Sequence, residues 1–373
     1  MIDSLAADRA RIVNFDAQIQ DLERSLSLLR GQRALAQERL DSYKYPVLTL
    51  PNEIICEIFI HFLPVYPSCS PVTGSRSPIL LTHICGGWRK IALEFPALWR
   101  ALEIYWNETA CLVPTLDRSG SSPLSICMDE GEDSHRAYKA GSTFLAALLS
   151  HCARWQYLSL RLAGFLHRSS YPCISGPMPL LQHLDLELGV GSGWPEFSFA
   201  EAPLLRTAIL NDCAAAHTTL PWTQLTLLTL KTMYLQECIP ILQQAANLTH
   251  CELELLDEGF HETSVVVDVT LPFLESLTLK NPNSDIDDNY LQTFVAPALC
   301  SLEIPEGLLG PNPIDSLSLF ISKSGCKPRR VQIVDRTELE SSYHSAFPSI
   351  QMLFVDSDDD DGEDSGSPGS TEV

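Results

Sequence analysis

The sequence predicts an α/β chain: a long N-terminal helix, a small three-helix segment, and then an irregular solenoid built on a parallel sheet. Three observations predict it. Residues 12–43 carry mostly apolar side chains spaced by three and four. Apolar stretches holding Trp88 and Trp99 lie among prolines between Leu48 and Ile104. From Trp155 onward one short leucine phrase returns at intervals of 20 to 26 residues. The chain's 373 residues exceed the roughly 100–200 of one domain, and its 45% apolar content supports a core.

The net charge of −22 argues against a nucleic-acid partner, which requires a basic footprint. Eight acids and no Lys or Arg follow from Asp356 onward, so the rest of the chain carries −14, and the head up to Tyr45 is neutral. The start, MIDSLAADRARIVNFD, is charged where a secretory signal needs an apolar run. No window reaches the roughly 18 apolar residues of a spanning helix. Twelve cysteines occur without a C-x-x-C pair and read as reduced, mostly buried thiols. The expected location is cytoplasmic and/or nuclear, with no membrane partner.

The first element, residues 1–46, is an amphipathic or coiled-coil helix. Ile12, Phe15, Ile19, Leu22, Leu26, Leu29, Arg33, Ala36, Leu40 and Tyr43 form an a/d repeat with polar residues between them. Arg33 alone interrupts the apolar stripe, and Gly31 weakens the helix by ~1 kcal/mol relative to Ala. Two readings stand: a coiled coil that makes a homodimer, or a single amphipathic helix folded back on the body. Pro46 ends the helix in both.

The second element, residues 47–104, opens on LPNEIICEIFIHFLP, Leu50 to Pro64. Ile54, Ile55, Ile58, Phe59 and Phe62 share helical spacing, as do Ile84, Trp88, Ile91 and Ala92 further on. A segment this small buries little surface, so some of these side chains are expected outside, where apolar patches mark partner sites. The order L-P-x-E-I-I-x-x-I-F, I-C-x-x-W-R-x-I-A and P-x-L-W resembles an F-box. With a heptad helix before it and a Pro/Ser-rich insert within it, the chain resembles the F-box-like proteins of mushroom-forming fungi. The resemblance implies docking on the Skp-type adaptor of a cullin–RING ubiquitin ligase. By position the adaptor contacts would be Leu50, Pro51, Ile54, Ile58, Phe59, Ile84, Cys85, Trp88, Leu98 and Trp99. The loop Val65 to Pro78 is longer than the usual F-box turn. Gly86-Gly87 falls inside the helix expected to carry Trp88, a cost of ~2 kcal/mol against alanines. The alternative is a plain helical cap on the domain that follows.

The third element, residues 105–355, carries the repeat. W155QYLSL, L181QHLDL, L205RTAIL, L225TLLTL, L248THCEL, L274ESLTL and L299CSLEI fit L-x-x-L-x-L with swaps, and fainter copies follow at P328RRVQI and I350QMLFV. L124SI belongs to an earlier one. Pro179, Pro203, Pro272, Pro297 and Pro348 each stand two residues before a phrase, as fits the start of a strand and not its middle. Helical stretches such as F144LAALLSHC, I239PILQQA and I314DSLSLFIS are expected between strands. The pattern resembles leucine-rich repeat proteins, whose repeats run about 20–29 residues. A non-repeat α/β fold with leucine-rich strands is the alternative.

In such a strand the leucines point inward and the residues between them outward. Extended surfaces of this kind bind partners. The outward positions expected to hold a protein substrate are Tyr157, Arg161, His183, Asp185, Glu187, Asn211, Lys231, Glu252, Glu254 and Lys280. Their acidic bias at two repeats suggests a partner with basic patches.

No phosphate loop, H-E-x-x-H or G-x-S-x-G motif occurs. No His and Cys stand at metal-ligand spacing, so no catalytic residue, metal or cofactor is expected. The tail, residues 356–373, reads as a disordered acidic segment that solubilises the chain. Loose binding of a hard cation and phosphorylation of Ser357 or Ser365 are its other readings. The whole is expected to be the substrate receptor of an SCF-type ligase, a non-enzyme acting in ubiquitin-dependent degradation by proximity. Rival readings are a leucine-rich repeat scaffold outside any ligase and an enzyme whose site is assembled from distant residues.

Overall fold

The computed structural model describes residues 2–42, 49–105, 109–130, 140–163, 171–191, 193–256, 268–281 and 289–356. Tyr43 of the heptad and the acidic tail after Asp356 lie outside them. The chain divides into two compact units, Met1–Ile58 and Phe59–Val373.

The first unit is dominated by α1 (Ile2–Ser42), one uninterrupted helix of 41 residues. Gly31 does not break it, because a cost of ~1 kcal/mol falls on one position of a 41-residue helix rich in Ala, Leu, Arg and Gln. Every described side chain of α1 is exposed. The seam residues Leu26 and Leu40 are 48% and 70% exposed. Val13, Leu28 and Leu35 add apolar surface off that seam.

The helix α2 (Asn52–Phe62) follows Pro51 and runs into the second unit, where α3 (Pro78–Ile84) and α4 (Gly86–Leu93) come next. Ser77 caps α3, its hydroxyl accepting from the Ile79 amide at 3.1 Å, and Pro78 fills the first helical position, where no amide donor is needed. Gly86-Gly87 lies in the helix that carries Trp88, as expected, and forms its first turn. Cys85 is extended and separates the two helices, and its Sγ accepts from the Trp88 amide at 3.4 Å. The glycine pair therefore opens α4 and does not interrupt a helix. A 3-10 turn, Pro96–Trp99, closes the segment, and the Trp99 indole donates to the Ala92 carbonyl at 2.8 Å.

The strands are β1 (Ser70–Pro71), β2 (Ala101–Tyr105), β3 (Leu124–Asp129), β4 (Trp155–Leu162), β5 (His183–Leu188), β6 (Phe197–Ser198), β7 (Thr207–Asn211), β8 (Thr218–Thr219), β9 (Leu227–Met233), β10 (His250–Leu255), β11 (Val269–Thr270), β12 (Ser276–Lys280), β13 (Phe294–Val295), β14 (Ser301–Pro305), β15 (Arg330–Val334) and β16 (Gln351–Val355). Twelve of them form one sheet. The other four make two small parallel pairs, β6 with β8 and β11 with β13. With those set aside, every strand pairs in parallel with the next one in the chain. Parallel neighbours need a crossover between them, and α5 (Thr109–Arg118), α6 (Ala140–Leu149), α7 (Asp212–Ala216), α8 (Leu235–Gln244), α9 (Pro313–Ser324) and α10 (Glu340–Ala346) occupy six of these connections. Gly325 stops α9 in the left-handed region at φ 65°, a conformation open to glycine.

Each returning phrase supplies a strand, and the faint copies at 328 and 350 supply β15 and β16. The five prolines sit in the turns that lead into β5, β7, β12, β14 and β16. The inward residues stack in register: Leu158, Leu184, Ala208, Leu228, Cys251, Leu277, Leu302 and Val331 form one row, and Leu160, Leu186, Leu210, Leu230, Leu253, Leu279, Ile304 and Ile333 the next. None is more than 3% exposed. The connecting helices close the same core with Leu145, Leu148, Cys238, Leu242, Leu317, Phe320 and Tyr343. Full burial of one such leucine stabilises by about 1.5–3 kcal/mol.

The sheet begins earlier than the phrases indicate. The stretch expected as a simple loop, Val65 to Pro78, supplies β1, which pairs with Leu102 and Glu103 of β2. β1 and all of β2 except Tyr105 lie within residues 47–104.

Candidate interaction surfaces

In the helical segment the ten expected adaptor residues separate by exposure. In the first unit Pro51 and Ile54 are exposed, Ile58 is 39% exposed and Leu50 is half-buried. In the second, Ile84 is 56% exposed, whereas Phe59, Leu98 and Trp99 are at most 1% exposed and present no surface. Cys85 and Trp88 are half-buried. Trp88 packs edge-on against Phe59, with ring centroids 5.0 Å apart. Phe59, Trp99 and Cys85 thus hold the segment together, while Ile84 remains available to a partner.

An open cleft of about 370 Å³ lies among α3, α4 and α5, lined by Ile79, Thr82, His83, Arg89, Leu93, Pro114, Thr115 and Arg118. Arg89 donates to the Thr82 carbonyl at 2.8 Å, and the Arg118 guanidinium lies 4.9 Å from the Trp99 ring. The lining is cationic and apolar, with no carboxylate.

The outward side of the sheet is the second surface. Register places its residues in three rows. The first runs Ser125, Tyr157, His183, Thr207, Leu227, His250, Ser276, Ser301 and Arg330. The second runs Glu103, Cys127, Ser159, Asp185, Ile209, Thr229, Glu252, Thr278, Glu303 and Gln332. The third opens with Tyr105, Asp129, Arg161 and Glu187. Further along, Asn211 pairs with Lys231, and Glu254 with Lys280. The charges are interleaved. Arg161 stands between Asp129 and Glu187 at 3.8 and 3.7 Å, and Lys280 reaches Glu252 at 2.7 Å. That hydrogen bond raises the Lys280 pKa, and burial works against it. Ser159 donates to Asp185 at 3.0 Å. Burial lowers the His183 pKa against the pull of Asp185, which favours the neutral imidazole. These exposed pairs contribute little stability, about 0–1 kcal/mol each, so the rows remain available for recognition.

Two more of the expected substrate residues are engaged by the chain itself. Asn211 accepts from the amides of Leu188 and Ala214 and donates to the Leu188 carbonyl, joining two coils and capping α7. Tyr157 is partly covered, with the Tyr66 ring edge-on at 5.7 Å. Tyr66 donates to Gln156 at 2.7 Å and lies under the Arg100 guanidinium at 4.2 Å. Burial pushes the Tyr66 hydroxyl up to about 12. Ser125 bonds the Pro67 carbonyl at 2.6 Å, fixing the same loop over the start of the sheet.

Sequence reading missed the outward residues of β2 and β3. Glu103, Tyr105, Cys127 and Asp129 continue the rows, and the Tyr105 hydroxyl donates to Glu103 at 2.7 Å. Alternation in LEIY and LSICMD was the available signal. Counting Asp185, Glu187, Glu252, Glu254 and Glu303 with them, acids exceed the cations Arg161, Lys231, Lys280 and Arg330 on this side.

Among the described residues no group of His, Cys, Asp or Glu is placed to hold a metal ion. No helix among them is long and apolar enough to cross a membrane. Comparison with protein-family models and with curated proteins found no match.

Proposed function

We propose that this chain is the substrate receptor of a cullin–RING ubiquitin ligase, with its helical segment docking the Skp-type adaptor and its sheet holding a protein substrate. The observation that carries the reading is the coupling of the two surfaces in one chain. A proline-started segment that keeps Ile54, Ile58 and Ile84 in solvent leads directly into a twelve-stranded sheet, read as a leucine-rich repeat solenoid, whose outward rows are polar and acid-rich. Exposed apolar side chains of this size favour a partner protein. The acid excess favours a substrate with basic patches. The receptor catalyses nothing; it raises the effective concentration of substrate beside the ubiquitin carrier.

The test is capture of purified Skp-type adaptor by the full chain, compared with the Trp88→Ala, Ile58→Ala double variant. The reading predicts capture by the wild type and loss in the variant. Because Trp88 is half-buried, Ile84→Asp serves as a second variant that leaves the packing intact. A folded wild type that captures no adaptor overturns the ligase reading and leaves the scaffold reading in its place.

A further inference from the structure

The three–four spacing of α1 extends back from Ile12 to Asp8 and Leu5. The seam then has two charged members, Asp8 near its start and Arg33 near its end, with apolar residues at every other seam position from Leu5 to Leu40. All described side chains of α1 are exposed, so these apolar positions are unburied within the chain. Isolated helices gain little from propensity alone, and a heptad stripe of this length is satisfied by another helix.

The charges choose the partner and its direction. In a parallel pair each seam residue faces its own copy, so Asp8 meets Asp8 and Arg33 meets Arg33. Like charges in a seam cost several kcal/mol. In an antiparallel pair a positions face d positions, and residues whose numbers add to 41 share a layer. Asp8 then faces Arg33, Ile12 faces Leu29, Phe15 faces Leu26 and Ile19 faces Leu22. Two-fold symmetry makes each of these layers twice. Sliding one copy by a heptad sets Asp8 against Leu40 and Arg33 against Phe15, which leaves both charges without a counter-charge in the seam. One register thus neutralises both, at the positions where polar seam residues are known to fix alignment.

We propose that α1 pairs with α1 of a second copy as an antiparallel two-helix coiled coil, with Asp8 of each copy opposite Arg33 of the other. The C-terminal ends of the two helices then lie about 60 Å apart, at opposite ends of the pair. This inference is independent of adaptor docking.

Sedimentation of the full chain tests it. The wild type sediments as a dimer. Asp8→Arg makes two layers of like charge, as does Arg33→Asp, and each weakens association by roughly a hundredfold. The double variant Asp8→Arg, Arg33→Asp restores it. In a parallel pair neither single charge reversal changes the number of like-charge layers, so unchanged association of both overturns the proposal. So does a wild type that is monomeric at every concentration. A photo-crosslinking amino acid at Ala36 gives the direction directly. Capture of the partner around Leu5 fits the antiparallel pair, and capture around Ala36 contradicts it.

Discussion

Both α1 and the twelve-stranded sheet are written in leucine, and they treat it in opposite ways. In the sheet Leu186, Leu230 and Leu253 have no exposed surface. In α1 Leu22 and Leu29 are 69% and 59% exposed. The difference lies in where the next copy of the repeat is found. A coil of about 24 residues buries one face only against a neighbouring coil, and the chain supplies that neighbour itself. A seven-residue repeat buries its seam only against another helix, and α1 offers none from within. The same residue is therefore a stability determinant in one region and, on the pairing proposed for α1, an association determinant in the other.

The largest expected effect breaks this contrast if it is wrong. Leu253→Ala lowers the unfolding free energy of the sheet by about 3–5 kcal/mol in chemical denaturation. Leu22→Ala leaves that transition unmoved and weakens self-association. A sheet that tolerates the first change, or loses stability with the second, removes the distinction.

Glu306 sharpens it at the far end of the sheet. Its carboxylate is 3% exposed and accepts from the Thr337 amide and hydroxyl, the Glu338 amide at 3.1 Å and the Tyr343 hydroxyl at 2.6 Å. Burial works to raise its pKa, but these donors together hold it below the usual carboxylate range. A group depressed on folding stabilises fully above its unfolded pKa, and the contribution disappears as pH falls through the folded value. Stability is therefore expected to drop on acidification below about pH 4, and less steeply in Glu306→Gln. At neutral pH that substitution costs about 1–3 kcal/mol in the same denaturation assay.

Asn211→Ala costs less, about 1–2 kcal/mol, because it removes one cap and the bonds to Leu188. A loss of partner binding with no change in stability would move Asn211 back among the recognition residues. Lys280→Ala is expected to change stability by less than about 1 kcal/mol, since its pair with Glu252 is solvent-exposed. Any larger effect of that substitution belongs to substrate binding, measurable by titration once a substrate is in hand.

The repeat made most of the sheet legible, because leucines two apart with a fixed lead-in leave few alternatives to a stacked parallel strand. The early strands were harder to see. Ala101–Tyr105 follows a tryptophan-rich helical segment without a turn signal, and Ser70–Pro71 is a two-residue strand inside a Pro/Ser loop. Only the partner strand defines it. Gly86-Gly87 falls within the Trp88 helix as read, but propensity could not show that the Cys85 cap places the pair in its first turn. Alternation gave the outward rows but not the engagement of Asn211, which depends on the neighbouring coil. In the helical segment, spacing identified the apolar set. It did not tell Phe59 and Trp99, which are buried, from Ile84, which is not.

The most direct measurement is a titration of purified Skp-type adaptor into the wild-type chain and into Ile84→Asp, with the denaturation midpoint of both chains recorded alongside. The proposed receptor role predicts saturable binding by the wild type and at least a tenfold loss in a variant of unchanged stability, about 1.4 kcal/mol or more. Equal binding by the two chains, or none by a folded wild type, contradicts it.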